Sequence, residues 1–281
     1  MTDDQGVFTR CSSSPRLGAA RPPYGAAMSS TAVERTLPLE GAFNFRDMGG
    51  YPTTDGRRVK WRTLFRADGL DTLTGGDLSQ LGPIGLRTVV DLRSAHEVAE
   101  RGTFPVDDYP VTFHHLSVMD TTWDRDELAR RPMSSTEFLH WAYTSMLADG
   151  APRFATAFGL LAERDALPAV FHCAAGKDRT GLLAALLLGS LNVEREAIVA
   201  DYALTEVAMP RFLERMRGHA DGEAKADQSP RAFFAADAGA MELVLTDIEA
   251  AHGSVRSLMG TLGVTDETLQ RLDELLLTDA C

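Results

Sequence analysis

Cys173 and Arg179 stand six positions apart in the run His172-Cys173-Ala174-Ala175-Gly176-Lys177-Asp178-Arg179-Thr180-Gly181. An apolar run, Ala169 to Phe171, precedes it and a Leu/Ala-rich stretch follows. The spacing therefore predicts a strand-to-helix turn with a thiol at the strand end. Five residues curling back toward a helix N-terminus let successive backbone N–H groups converge on one anion. Such a turn suits transfer of a phosphoryl group to sulfur.

A free cysteine titrates near pH 8.5, and a helix N-terminus with a nearby guanidinium brings it to roughly 3.5 to 7.5. A displacement of about three pH units is worth on the order of 4 kcal/mol, so Cys173 is expected to be ionised at neutral pH. Arg179 can hold two phosphate oxygens with its planar fork, a geometry lysine lacks. Gly176 permits a tight turn, Thr180 can offer its hydroxyl to sulfur, and Gly181 allows close helix packing. A lone cysteine among alanines reads as a small buried hydrophobe and His172 alone as a core histidine, but Cys, Gly, Arg, Thr and Gly at these offsets read jointly as a site. Gly176-Lys177 looks like the end of a Walker A loop; Asp178 stands where that motif needs Ser or Thr, and Phe171 where it needs Gly.

This loop, with Phe43 to Gly50 (FNFRDMGG) and Val89 to Ser94 (VVDLRS), resembles the bacterial tyrosine/lipid phosphatase family that includes the secreted phosphatase B of mycobacteria, over about residues 36 to 278. The resemblance implies a hydrolase of the tyrosine-phosphatase fold that needs no metal or other cofactor. It implies action on phosphotyrosine proteins and, in some members, on phosphoserine/threonine or phosphoinositides, beneath a helical lid. Dual-specificity or lipid phosphatase, idle phosphate-binding module and sulfurtransferase stand as alternatives.

The expected catalytic residues are Cys173, Arg179 and Asp178; Ala174, Ala175, Gly176, Lys177, Thr180 and Gly181 are the expected substrate-binding set. Lys177 either adds positive potential for a multiply phosphorylated head group or pairs with Asp178. Asp178 is favoured as the proton donor to the leaving oxygen. Its rivals are Asp120, Asp124 and Asp126, which follow a probable strand but sit in no Trp-Pro-Asp sequence. His172, Arg46, Asp47, Asp91 and Asp120 are supporting residues, with Arg93 among the expected ion-pairing scaffold. His114-His115 point to opposite faces of a regular strand, which disfavours a shared metal.

The chain has 281 residues, 44% hydrophobic and 24% charged, enough for one large domain. Its net charge of -12 disfavours nucleic acid and anionic membranes as partners, so a phosphorylated protein or phosphoinositide must be drawn in locally. Cysteines at 11, 173 and 281 form no disulfide framework. No apolar run is long enough to span a membrane, and the first residues lack a signal-peptide pattern. The expected location is cytoplasmic, or exported without a recognisable signal peptide.

Residues 1 to 35 mix Ser, Pro, Ala, Arg and Gly without periodicity and read as a disordered tail before a phosphatase domain at 36–281. Strands are predicted at 63–66, 87–92, 111–116 and 169–172, and helices at 94–100 and 137–147, the latter behind a Ser134/Glu137 capping box. Further helices are predicted at 181–191, at 193–204 behind an Asn192 cap, and at 265–276 capped by Thr265. Strands alternating with helices imply an α/β sandwich with a mainly parallel sheet. Residues 205–251 are the candidate lid, with Phe212, Met216, Phe233 and Phe234 as covering residues.

Overall fold

The computed structural model describes residues 35–119, 133–218, 222–229 and 231–279. Asp120, Asp124, Asp126, Cys11 and Cys281 lie outside the described residues, as does the expected tail up to residue 34.

Five strands, β1 (Arg46–Asp47), β2 (Leu64–Ala67), β3 (Thr88–Asp91), β4 (Thr112–His115) and β5 (Ala169–His172), make one sheet in the order β1-β2-β5-β3-β4. β5 runs parallel to both neighbours, pairing Ala67 with His172 and Asp91 with His172, and β3 and β4 are parallel too. β1 is antiparallel to β2, with Arg46 opposite Arg66. β5 is buried at every position, as a central parallel strand covered on both faces must be.

Alternate strand residues feed two cores. Leu64, Val90 and Phe171 join the larger one, while Phe65, Val89 and Val170 join the smaller. The smaller core is closed by Leu81 of α1 (Gly75–Leu81) and by Phe104, just beyond α2 (Ala95–Arg101). The larger core takes Leu139 from α3 (Ser135–Leu161), Leu183 from α4 (Asp178–Ser190) and Val199 from α5 (Arg195–Ala203). Two short helices, α6 (Met209–Arg217) and α7 (Gly222–Gln228), lead to α8 (Ala238–His252), α9 (Val255–Thr261) and α10 (Asp266–Leu276), which supply Leu245, Leu258 and Leu272. No helix among the described residues is long and apolar enough to cross a membrane.

Capping boxes start α1, α2 and α3 at Thr74/Asp77, Ser94/Glu97 and Ser134/Glu137, each pairing a cap hydroxyl with an acidic third residue. Thr265 caps α10 as its position predicts. Three expectations need correction. α3 does not end near 147 but runs through Pro152 to Leu161, because Phe154, Ala157, Phe158 and Leu161 bury one apolar stripe that outweighs the backbone bond proline removes. Asn192 is not a cap: it is left-handed (φ 57°), and α5 starts at Arg195 after Glu194 without a side-chain cap. Arg46 and Asp47 are not in a turn but form β1, a two-residue strand too short to show periodicity.

Candidate active site

The carboxyl end of β5 delivers the loop 173–177 to the first turn of α4. Its carbonyls are held from outside. The Ala174 oxygen accepts from the Gly69 amide (3.1 Å), and Asn44 Nδ2 donates to the oxygens of Ala175 and Gly176 (3.1 and 3.2 Å). Arg66 Nη2 also donates to Gly176 O at 2.8 Å. The backbone N–H groups of Ala174 to Arg179 donate to no protein acceptor among the described residues. That asymmetry turns the loop into a set of aligned donors.

Gly176 sits at φ 65°, and a Cβ there would lie 2.6 Å from Ala67 O and 2.7 Å from Asn44 Nδ2, so only glycine fits. Gly181 meets the Tyr202 ring as close packing requires: an added Cβ would stand 2.9 Å from it.

A buried network stands behind these clamps. Asp201 accepts from Arg46 Nε (3.1 Å), Arg66 Nη1 (2.5 Å) and Tyr51 OH (2.9 Å). Against the cost of burial, the two guanidiniums hold its carboxyl well below the usual carboxylate range. Arg46 also donates to the Asn44 side chain, which orients the amide that grips the loop. Asp68, at the end of β2, receives the Phe43 and Asn44 amides, and burial raises it to about 6.

Arg179 is fully sequestered from misorientation by Glu97 of α2: Nη1 donates to Oε2 at 2.5 Å and Nη2 to Oε1 at 2.9 Å. Burial penalises both charges, yet the paired bonds hold Glu97 down to about 2; they raise Arg179 above the ordinary arginine range with help from Cys173. This end-on grip uses one N–H of each Nη and leaves Nε–H with its neighbouring Nη–H as a second fork.

Cys173 is 2% exposed. His172 is buried and kept neutral, its pKa lowered first by desolvation; Nδ1 lies 3.3 Å from Cys173 O, and Nε2, 3.7 Å from Asp91 Oδ2, makes no hydrogen bond. Thr180 Oγ1 is also buried without a partner. Asp91 is gripped by Arg93 at 2.6 Å, and Arg93 also meets Asp71 at 2.8 Å. Asp47 accepts the Gly49 and Arg62 amides at 2.7 Å each, so it braces the 47–62 turn. No group of three or more His, Cys, Asp and Glu among the described residues could hold a metal ion.

The two remaining loop residues are tied to helices. Lys177 is fully buried, and its ammonium donates to the carbonyls of Ala232 (3.0 Å), Phe233 (2.7 Å) and Ala235 (3.1 Å). Its three donors are thereby used; Asp178 Oδ1 lies 3.4 Å away. Asp178 Oδ1 accepts from Tyr143 OH at 2.8 Å, and Tyr143 OH meets Tyr202 OH at 2.5 Å. Phe212 joins Ala175, Ala208, Met209 and Phe43 in a small apolar cluster beside the loop. Phe233 instead packs on Phe138 of the larger core, with ring centroids 5.5 Å apart, while Met216 and Phe234 are half-buried.

Sequence reasoning did not find Arg66, Glu97, Tyr143, Asp201 or Tyr202. Glu97 carried one signal, its place as third residue of a capping box; Asn44 lay within a quoted segment but was given no role.

A model of the tyrosine phosphatase family matches residues 37–278. The chain is 28% identical over 212 residues to a tyrosine-protein phosphatase of Nostoc commune, covering 74% of this chain and 71% of that one. A Cupriavidus necator protein, itself only provisionally named a tyrosine-protein phosphatase, is 31% identical over 243 residues, covering 83% and 86%. The triple specificity protein phosphatase PtpB of Mycobacterium tuberculosis is 27% identical over 278 residues, covering 85% and 98%.

Proposed function

The chain belongs to the tyrosine phosphatase family and is a phosphoric monoester hydrolase; from that premise we propose that it dephosphorylates phosphotyrosine proteins through a phosphocysteine intermediate. The observation that carries this reading is the loop whose Ala174, Ala175 and Gly176 carbonyls are held outward while the amides of Ala174 to Arg179 keep their N–H groups. Those donors and the second fork of Arg179 would bind three phosphoryl oxygens, and they tighten as charge moves onto the equatorial positions. Cys173 sulfur attacks phosphorus in line, the ester oxygen leaves with a proton, and water then cleaves the thiophosphate.

Asp178 supplies that proton. Its Oδ1 is occupied by Tyr143 OH, which leaves Oδ2 to carry it. An aryl ester is favoured by the apolar wall of Phe43, Phe212 and Met209 beside Ala175. Lys177, with its donors spent on carbonyls, is not the cation that would choose a polyphosphorylated lipid.

Phosphate release from phosphotyrosine peptides, phosphoserine/threonine peptides and phosphoinositide vesicles, compared in one series with excess chelator, tests the reading. It predicts the highest kcat/KM on phosphotyrosine. Activity confined to the lipid, or lost with chelator, contradicts it.

A further inference from the structure

Helix α6 brings two arginines, one turn apart, to the same aromatic ring. The guanidinium carbons of Arg211 and Arg215 lie 4.3 and 4.6 Å from the Phe43 ring centroid. Like charges four residues apart on a helix repel, and Asp68, 3.5 Å from Arg215, offsets one of the two. Phe43 itself packs with Ala175 of the loop, which sets the pair at the edge of the phosphate site.

The two cations are not equivalent. Arg215 is held among protein oxygens: Ala174 O, Gly41 O and Thr72 Oγ1 at 3.3 Å, and Asp68 Oδ2 at 3.5 Å. Arg211 is exposed and makes no ion pair among the described residues. Some surface arginines are matched, Arg57 with Asp55, Arg87 with Asp165, Arg217 with Asp227 and Arg271 with Glu267, while exposed Arg58, Arg62, Arg153 and Arg164, like Arg211, make no ion pair among the described residues. What sets Arg211 apart is its place: it shares the Phe43 ring with Arg215, and Phe43 packs in the cluster of Ala175.

We infer that Phe43, Arg211 and Arg215 form a subsite for one carboxylate of an acidic residue flanking the phosphotyrosine of a substrate peptide. The inference rests on the phosphotyrosine reading above and names the peptide class that reading leaves open. Arg211 supplies the free planar fork for a carboxylate, Phe43 holds the guanidinium flat through a cation–π contact, and Arg215 adds positive potential while anchored to Ala174. One free cation matches one carboxylate. A second phosphate dianion would call for convergent cations with unspent donors, and neither Arg215 nor Lys177 is in that state.

The test compares kcat/KM for phosphotyrosine peptides carrying Glu at the positions next to the phosphotyrosine with their Gln isosteres. The Glu/Gln ratio is taken within each variant, so a general loss of activity cancels. Wild type is expected to favour Glu by roughly five- to tenfold at low ionic strength, a preference that shrinks as salt screens it. Arg211→Gln should bring the ratio to about one, Arg211→Lys should keep part of it, and Arg211→Glu should invert it. A wild-type ratio of one overturns the subsite while leaving the phosphotyrosine reading intact, because both peptides are still hydrolysed. A ratio that Arg211→Gln does not move overturns it equally, as does an Arg211-dependent preference shown only by polyphosphoinositide vesicles. Failure to hydrolyse either peptide removes the phosphotyrosine reading itself.

Discussion

Arg179 has to be rigid before it can select the transition state, and Glu97 makes it so. A guanidinium gripped end-on cannot swing, so its second fork stays aimed without loss of order at each turnover. Glu97→Gln removes the charge from that grip and is expected to lower kcat/KM on the order of tenfold. The same substitution has a pH signature. Glu97 is lowered from 4.5 to about 2 in the folded chain, so its stabilising contribution is present above pH 4.5 and is lost as pH falls toward 2. Wild type should exceed the Gln variant by about 3 kcal/mol at neutral pH, with the gap closing in that acid window. Urea titrations at a series of pH values measure it; a gap independent of pH contradicts the pairing.

Asp178 is tested by its leaving groups. With Oδ2 as the proton-bearing atom, Asp178→Asn should cut hydrolysis of phenyl phosphate, a poor leaving group, on the order of 100-fold while sparing nitrophenyl phosphate far more. Asp120, its rival in the sequence, lies outside the described residues, and Asp120→Asn serves as the comparison. Leaving-group sensitivity in the Asp120 variant alone would reduce Asp178 to an anchor for Lys177 and Tyr143.

At the scale of elements, the loop is a joint where five parts meet: β5 feeds it, the β2 end and the 43–44 segment clamp its carbonyls, α2 holds its arginine, and the 232–235 turn holds its lysine. Lys177→Met leaves three carbonyls without their donor, that of Ala232 buried and those of Phe233 and Ala235 partly so. The cost is about 3 kcal/mol, which for a chain of this size lowers Tm by about 6 to 12 °C. Thermal unfolding checks it: an unchanged Tm with a KM defect confined to polyphosphorylated substrates would return Lys177 to substrate binding.

The elements also show what a sequence reader can and cannot see. Strands β2 to β5 and the caps at Ser134 and Thr265 were legible because their signals lie within a few residues: short apolar runs for the strands, hydroxyl-to-acid spacing at Ser134/Glu137, and a threonine directly ahead of the helix at Thr265. The strand-to-helix turn at 173–177 was legible for the same reason, since its residues are consecutive. Asp201 and Arg66, 135 positions apart, and Glu97 and Arg179, 82 apart, meet only through tertiary packing, so composition and periodicity carry no trace of them. The helix predicted at 137–147 falls short because the apolar stripe that carries it through Pro152 to Leu161 is fixed by tertiary packing.

Across the molecule, charge and chemistry are arranged in opposition. In a chain of net charge -12, Arg179, Arg211 and Arg215 stand close to the loop 173–177, and on the proposed function they are the local positive charge that draws the anion in. Packing supports the loop from beneath, where Arg66 and Asp201 are buried as an ion pair and Lys177 is buried on three carbonyls. The proposed mechanism makes the Cys173 sulfur the atom that takes the phosphoryl group. The most direct measurement is mass spectrometry of protein quenched in acid during turnover of nitrophenyl phosphate. A phosphoryl group on the Cys173 peptide, absent from an inactive but folded Cys173→Ser variant, is the predicted result; steady turnover with no phosphoryl group on that peptide, or a serine variant as active as wild type, would contradict it.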